Sequence, residues 1–231
     1  MKRLDLILNG KGGVGKSFFA VNFVQFLKDK GIAHVAIDSD NENSTLNRFH
    51  PDTRFLDLAD RRGLDGIFTA LEKSNLVVMD CRAASTDLFI DFFTVIDLSA
   101  VLSAMNAALT FVMPVNHEAD SVDQVQRLAD QFGKKCNYVV VRNAAHSESF
   151  ELFEASEVRS FLKDKLGGQE IAMTQLQDWL VVALNQENVT VTAAAKHSAF
   201  SLLDRQRLQT WQRKLYAEIE SAAGLLLPAK P

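Results

Sequence analysis

A loop able to bind phosphate begins ten residues into the chain, where positions 10–17 read Gly-Lys-Gly-Gly-Val-Gly-Lys-Ser. Its glycines allow backbone N–H groups to close around phosphate oxygens, and a helix following the loop would present its positive N-terminus to the same anion. In this pattern Lys16 is expected to reach the β- and γ-phosphates of a nucleotide, and Ser17 to hold Mg²⁺. The predicted nucleotide-binding residues of this segment are Gly10, Lys11, Gly12, Gly13, Val14, Gly15, Lys16, Ser17 and Phe18.

The loop contains one lysine more than the phosphate-binding pattern requires, namely Lys11. Lys16 already occupies the face of the nucleotide that such a loop presents, so a second lysine near the start of the loop is hard to use on the same nucleotide. It becomes useful if it reaches a nucleotide bound to a second copy of the protein. Lys11 is therefore interpreted as a residue that acts across a dimer interface.

Two carboxylates follow the next predicted strand along the chain, which covers His34–Asp38. Asp38 ends this strand and Asp40 lies two residues beyond it. In a phosphate-binding-loop fold the end of this strand lies beside the γ-phosphate, where two acidic groups can orient a magnesium-bound water and the attacking water. An acidic surface loop is the alternative interpretation.

A further carboxylate, Asp80, ends the apolar segment Leu76–Met79. An aspartate at the end of an apolar strand is the Walker B arrangement, in which the carboxylate reaches Mg²⁺ through a water or through Ser17. Ser17 and Asp80 are therefore predicted to hold the magnesium ion.

The elements that must position these groups can also be predicted from the sequence. Residues Leu4–Leu8 are typical of a short buried strand, and Phe18–Lys28 has apolar residues at helical spacing. Strand, glycine loop and helix in this order support the phosphate-binding interpretation over a chance match in a glycine turn.

With its early lysine, the loop resembles the deviant Walker A loop of the ParA/MinD superfamily, a group of dimerising ATPases that position plasmids, chromosomes, division machinery and other cargo. In that family the early lysine crosses the dimer interface to the partner's ATP, and Lys11 matches its position. The resemblance implies that Asp40 positions the attacking water and that Asp38 lies nearer the magnesium shell. It therefore implies Lys11, Lys16 and Asp40 as catalytic residues, with ATP and Mg²⁺ as cofactors.

The resemblance also implies a residue that recognises the base. Relatives carry an asparagine after the strand that corresponds to Tyr138–Val141, and it hydrogen-bonds the adenine edge; Asn143 matches it. A turn or helix-cap role is the alternative. A GTPase would carry Asn-Lys-x-Asp here, whereas the chain reads Asn-Ala-Ala-His at 143–146, which favours adenine.

Two segments depart from the family pattern. After Asp40 relatives usually continue with proline and glutamine, whereas this chain has Asn-Glu-Asn. After Asp80 they usually place proline or glycine, whereas residues 81–85 are Cys-Arg-Ala-Ala-Ser, so that Ala84 offers its N–H with less conformational freedom than glycine. Arg82 is interpreted as a surface or interface charge, with a phosphate contact as the alternative.

The whole pattern predicts an α/β fold of the P-loop NTPase class, in which a mostly parallel twisted sheet has helices on both faces. Further predicted strands cover 109–115, 138–141 and 171–173. Predicted helices cover 64–72, 86–105 as one or two elements, 121–132, 150–166, 175–184 and 198–222. We expect residues 1–224 to form a single ATPase domain and residues 225–231 a flexible C-terminal tail.

Composition limits the class of protein. The 231 residues suit one domain, and a hydrophobic share of 47% with 23% charged residues is ordinary for a globular protein. The two cysteines, Cys81 and Cys136, fit a reducing compartment rather than a disulfide framework. No signal peptide is recognisable and no apolar run approaches the ~18 residues of a membrane span, so we expect a cytoplasmic protein.

The expected partners are a second copy of the chain, in the presence of ATP, and a DNA-bound partner protein. Basic residues of the last predicted helix could bind DNA non-specifically, with a solvated helix face as the alternative; they are Arg205, Arg207, Arg213 and Lys214. The net charge of −4 neither indicates nor excludes such binding. The last residues carry a single lysine and two prolines, so we do not expect membrane binding.

The function that the resemblance implies is an ATP-dependent dimerisation switch that positions or segregates plasmid DNA or a DNA-transfer complex. A nucleotide-binding scaffold with little hydrolysis is one alternative, and the two departures from the family pattern motivate it. A P-loop metabolic enzyme of the same superfamily is another, and it would not need Lys11.

Overall fold

The computed structural model describes residues 1–60 and 62–229. The strands are β1 (Lys2–Ile7), β2 (Val35–Asp38), β3 (Arg54–Phe55), β4 (Leu76–Asp80), β5 (Ala107–Val115), β6 (Asn137–Asn143) and β7 (Gln169–Met173). They form one sheet in the order β3-β2-β4-β1-β5-β6-β7, and every neighbouring pair is parallel. The predicted parallel sheet is thereby confirmed.

Helices connect these strands and cover the sheet. The α-helices of the described residues are α1 (Lys16–Asp29), α2 (Thr45–Phe49), α3 (Asp65–Lys73), α4 (Thr86–Val95), α5 (Leu98–Ala104), α6 (Ala119–Phe132), α7 (Glu151–Glu154), α8 (Glu157–Phe161), α9 (Asp178–Glu187), α10 (Val191–Ala194), α11 (Leu202–Ser221) and α12 (Ala223–Leu226). A 3₁₀ turn covers Gly133–Lys135 and a π-helical turn covers Leu162–Leu166. None of these helices is long and apolar enough to cross a bilayer.

The two faces of the sheet are buried under separate layers of helices. Along β1, Leu4 and Leu6 pack in the layer that contains α3, α4 and α6. Ile7 points to the opposite side and packs with α1, α9 and α11. Because successive side chains of a strand point to opposite faces, this alternation produces the three-layer arrangement predicted from the sequence.

The predicted helical segments 86–105 and 150–166 are each divided in the structure. The segment 86–105, predicted as one or two helices, forms two. The backbone is extended at Ile96 after α4, and the Asp97 side chain then caps α5 by accepting from the Ala100 N–H at 3.0 Å. The segment 150–166, predicted as one helix, is divided before α8, where the Ser156 side chain accepts from the N–H of Arg159. Both breaks occur at residues whose short polar side chains compete with helical hydrogen bonding.

The expected flexible tail at residues 225–231 is wrong for its first part. Residues 223–226 form α12, and Leu226 is completely buried against the layer that contains α1 and α11. Residues 230–231 lie outside the described residues. The packed domain therefore extends beyond the predicted boundary at residue 224.

Side chains from the sheet hold this C-terminal segment by its backbone. The Arg3 guanidinium donates to the carbonyl oxygens of Gly224 and Leu227, and the Thr110 hydroxyl donates to that of Leu225 at 2.7 Å. Every residue has a backbone carbonyl oxygen, so the sequence does not indicate which ones accept hydrogen bonds. For this reason the sequence alone predicts a flexible tail.

Candidate nucleotide-binding site

The predicted site residues converge at the carboxyl ends of three neighbouring strands. β1 leads directly into the glycine loop, while Asp38 ends β2 and Asp80 ends β4. Asp38 and Asp80 are register partners on adjacent strands, and Ile7 is the partner of Asp80 on the other side. The strand order thus forms one cleft of about 390 Å³, lined by the glycine loop together with Asp40 and Arg82.

The backbone of the glycine loop is shaped to receive an anion. Gly13 and Gly15 have φ angles of 76° and 94°, in the left-handed region that favours glycine. A Cβ atom on Gly15 would lie 2.3 Å from the Asn143 side-chain nitrogen, so a larger residue does not fit. Within the described part of the chain, the backbone N–H groups of residues 12–15 donate to no protein acceptor. They are therefore available to phosphate oxygens.

Lys16 places a cation at the base of this loop. Its side chain donates from Nζ to the carbonyl oxygen of Lys11 at 2.8 Å, and the residue is 7% exposed. Burial lowers the pKa of Lys16, whereas the nearby Asp80 carboxylate raises it. A buried ammonium held by one neutral carbonyl suits the binding of a phosphate anion, as the sequence predicts.

Asp80 is a buried carboxylate without a protein partner. It is 2% exposed, and neither of its oxygens accepts a hydrogen bond from any residue that the structure describes. The pKa of Asp80 is raised to about 7, chiefly by burial and also by the charge of Asp38, whereas the nearby Ser17 hydroxyl and Lys16 lower it. Hard divalent cations prefer carboxylate and hydroxyl oxygens, so the donor set of Asp80 and Ser17 fits Mg²⁺.

Asp38 is also buried, but its oxygens are occupied. One oxygen accepts from the backbone N–H of Asp40 at 2.9 Å, and the other accepts from that of Asn47 at 3.2 Å. Burial raises the pKa of Asp38, although these hydrogen bonds lower it. Asp38 therefore fixes the loop that follows β2 and holds Asp40 at the cleft.

Asp40 faces the cleft in its ionised form. Its Oδ1 accepts from the backbone N–H groups of Glu42 and Asn43 at 2.9 and 3.2 Å. Partial burial raises the pKa of Asp40, but these hydrogen bonds and the charge of Arg82 outweigh it and the net change is downward. Two residues of the segment that departs from the pattern, Glu42 and Asn43, thus supply donors that keep this carboxylate charged.

The second departure from the family pattern alters a backbone donor. Ala84 has a φ of 56°, in the left-handed region that glycine would occupy without strain. Its N–H donates to the carbonyl oxygen of Gly10 at 2.9 Å and so holds the start of the loop. Arg82 lines the cleft, and its backbone N–H donates to the Ser39 hydroxyl at 3.0 Å.

A second, more apolar cleft of about 310 Å³ continues from the glycine loop towards α9, and Phe18 and Asn143 line it. The Asn143 amide donates to the carbonyl oxygen of Val14 at 2.9 Å, and its oxygen accepts from the N–H of Ala145 at 3.1 Å. In the structure Asn143 therefore holds the glycine loop and a turn at the edge of this cleft, and recognition of adenine by it stays a prediction. Phe18 packs on Trp211, with ring centroids 5.5 Å apart.

Lys11 forms ion pairs within its own subunit. Its Nζ lies 2.8 Å from Glu118 and 3.2 Å from Asp120, at the start of α6, and hydrogen bonds to these two carboxylates raise its pKa. Sequence reasoning missed both acids, because carboxylates at the first turn of a helix are ordinary complements of its dipole. It also missed Asn9, whose buried amide donates to the carbonyl oxygens of Pro114 and Ser121 at 2.9 Å.

The basic residues of the last helix do not act as one surface. Arg205 is half-buried and donates to the carbonyl oxygen of His197 at 2.8 Å. Arg207 and Lys214 line a common groove, whereas Arg213 donates to Thr210. Non-specific DNA binding by these residues stays a prediction.

Comparison with known proteins bears on the family. The profile of the CobQ/CobB/MinD/ParA nucleotide binding domain matches residues 6–156, which include every residue assigned above to the glycine loop and to the carboxylates around it.

The chain is also similar to individual proteins over nearly its whole length. It is 26% identical to Protein TraL of Escherichia coli over 97% of this chain and 100% of that one. It is 23% identical to Protein MobD of Acidithiobacillus ferrooxidans over 95% and 97% of the two chains. Among solved structures, it is similar to the septum site-determining protein MinD of Pyrococcus horikoshii OT3, complexed with Mg-ADP. The match covers 100% of this chain and 100% of that one, with a TM-score of 0.57 and 17% identity.

Proposed function

Because the chain belongs to the family of CobQ/CobB/MinD/ParA nucleotide-binding domains, we propose that it is a Mg²⁺-dependent ATPase that works as a dimerisation switch. The observation that carries this proposal is the cleft in which free loop N–H groups, a buried lysine and an unpartnered buried carboxylate meet. These are the groups that a phosphate chain and its metal require.

Within this proposal the residues divide the work. The loop and Lys16 bind the phosphates, while Ser17 and Asp80 hold Mg²⁺, which neutralises charge on the β- and γ-phosphates when bound. Asp38 positions the loop after β2. Asp40, ionised and at the cleft, orients the water that attacks the γ-phosphate.

The switch requires a state that ATP favours and ADP does not. A ligand shifts an equilibrium only through its different affinities for the two states. In the proposed closed dimer, Lys11 of each subunit contacts the phosphates bound to the other, and this contact supplies the difference. Hydrolysis removes the γ-phosphate and returns the protein to monomers.

The proposed cargo is plasmid DNA or a DNA-transfer complex, reached through a DNA-bound partner protein. The family assignment supports this class of role, since the superfamily that the loop resembles positions such cargo.

A nucleotide-binding scaffold with little hydrolysis is the second candidate. The observation that favours it is Ala84, whose N–H is hydrogen-bonded to Gly10 and not directed to a γ-phosphate. The two candidates share nucleotide binding and differ in hydrolysis.

Binding and single-turnover hydrolysis of ATP separate these candidates. We expect Lys16→Ala to lose binding, and Asp40→Ala to bind ATP with unchanged affinity while hydrolysis falls by about 100-fold. Glu42→Ala is the matched control, since Glu42 is an exposed acid of the same loop, and it should hydrolyse ATP as the wild type does. Equal residual rates in wild type and Asp40→Ala would contradict the proposed role of Asp40 and favour the scaffold.

A further inference from the structure

We propose that Glu118 and Asp120 form a latch that holds Lys11 in its own subunit, and that this latch sets how readily two ATP-bound subunits dimerise. This inference rests on the proposed function, because it concerns the same lysine in the state that precedes dimerisation. It assigns to the two acids a positioning role towards Lys11.

The contacts of Lys11 show that it is held on both sides. Its ammonium lies 2.8 Å from a carboxylate oxygen of Glu118 and 3.2 Å from one of Asp120. The lysine side chain is 32% exposed, whereas those of the acids are 41% and 70% exposed. All three side chains are partly exposed, although the Glu118 oxygen that faces Lys11 is itself buried. The Lys11 ammonium can therefore be transferred to another anion, and the cost of separating these pairs is what the latch contributes.

The backbone beside Lys11 is tied to the same part of the molecule. Asn9 donates to the carbonyl oxygen of Ser121, in the first turn of α6, and its own oxygen accepts from the N–H of Lys11 at 3.0 Å. The start of the glycine loop and the start of α6 thus form one hydrogen-bonded unit. The Lys11 side chain takes no part in these hydrogen bonds, so it can move away while they remain intact.

The two carboxylates and the phosphates bound to a second subunit compete for the Lys11 ammonium, because both are negatively charged. Two carboxylates provide about two negative charges to one lysine, and the phosphates of a nucleotide on a second copy provide a similar or larger charge. Dimerisation therefore replaces one set of ion pairs by another. Removing the acids should destabilise the monomer relative to the closed dimer, and the effect counts twice because each dimer contains two latches.

The test is the dimer dissociation constant of the full chain in Mg²⁺ and ATP, measured by sedimentation over a range of protein concentrations. For Glu118→Gln/Asp120→Asn we expect the constant to fall by roughly threefold to thirtyfold, since each surface pair contributes modestly. Asp123→Asn is the matched control, because Asp123 is an exposed acid of the same helix, and its constant should equal that of the wild type. Glu118→Asp, which keeps the charge, should stay near the wild-type value.

A purely structural effect of the two substitutions is separated by repeating them in Lys11→Ala. Lys11→Ala is expected to stay monomeric, and there the two substitutions should not restore ATP-dependent dimerisation, since the group that they act on is absent. An unchanged or raised dissociation constant in Glu118→Gln/Asp120→Asn, alongside ATP-dependent dimerisation of the wild type, would contradict the latch alone. Failure of wild type and variant alike to dimerise with bound ATP would contradict the proposed function and, with it, the latch.

Discussion

At the scale of single residues, the buried carboxylate of Asp80 is unfavourable in the ligand-free protein and becomes favourable when a cation binds. A carboxylate that is 2% exposed, has no protein donor and lies beside Asp38 is costly when ionised. A divalent cation removes that cost, because it supplies the charge that the protein withholds. The same geometry makes the ligand-free protein sensitive to pH.

We predict that Asp80→Asn stabilises the ligand-free protein at pH 8 but not at pH 4. The folded-state pKa of Asp80 is raised from 3.8 to about 7, so the folded state binds a proton more tightly and its stability falls as the pH rises between these values. The difference is at most about 4 kcal/mol at high pH. Urea unfolding of wild type and variant at pH 4 and pH 8, without nucleotide or Mg²⁺, measures it. A variant less stable than the wild type at pH 8 would contradict this account.

Asn143 provides a second prediction at this scale. Its amide donates to the carbonyl oxygen of Val14 and so holds the loop. Asn143→Ala should therefore weaken the binding of ATP and of inorganic tripolyphosphate by the same factor, about fivefold for one hydrogen bond. Asn75→Ala, an exposed asparagine at the start of β4, is the control and should change neither. Calorimetric titration with both ligands measures the two factors. A loss confined to ATP would instead support recognition of adenine by Asn143.

Sequence predicted the glycine loop and the strand-end aspartates because their functional spacing lies within single short segments. It could not predict that Glu118 would meet Lys11, since they are far apart in the chain and meet only because β5 lies beside β1 in the sheet. Nor could it predict that Asn143 points at the loop, because that depends on the loop's own close approach.

At the scale of elements, predictions succeeded where an apolar pattern is long. α1, α6 and α11 each present a buried stripe over several turns, and the structure has them close to their predicted bounds. The short helices α2 and α12 carry too few residues to establish a period, and α12 is fixed instead by tertiary hydrogen bonds. Tertiary contacts of this kind override local propensity.

The packed C-terminal segment leads to a prediction about stability. Leu226 is completely buried in α12, whereas Leu203 in α11 is 63% exposed. Leu226→Ala should lower the free energy of unfolding by about 2–4 kcal/mol through lost burial and a cavity, and Leu203→Ala should change it by less than about 0.5 kcal/mol. Chemical denaturation of both variants tests this pair. Two equally stable variants would mean that the segment is free, as the sequence alone suggested.

At the scale of the whole molecule, the account depends on a second subunit. The cleft of one chain is lined by the glycine loop, Asp40 and Arg82, whereas the side chain of the extra lysine is paired with acids of the same chain. Under the proposed function, this lysine serves a nucleotide bound to a second subunit. Dimerisation should therefore depend on the γ-phosphate and on Lys11 together.

The most direct measurement is the molar mass of the purified protein by size exclusion with light scattering, with Mg²⁺ and ATP, with Mg²⁺ and ADP, and without nucleotide. Wild type and Lys11→Ala are compared, with nucleotide binding verified for both, and Lys73→Ala serves as a control for loss of an exposed lysine. The account predicts a dimer of wild type and of Lys73→Ala only with ATP, and a monomer of Lys11→Ala throughout. A wild-type mass that ATP leaves unchanged, or an ATP-dependent dimer that survives in Lys11→Ala, would contradict it.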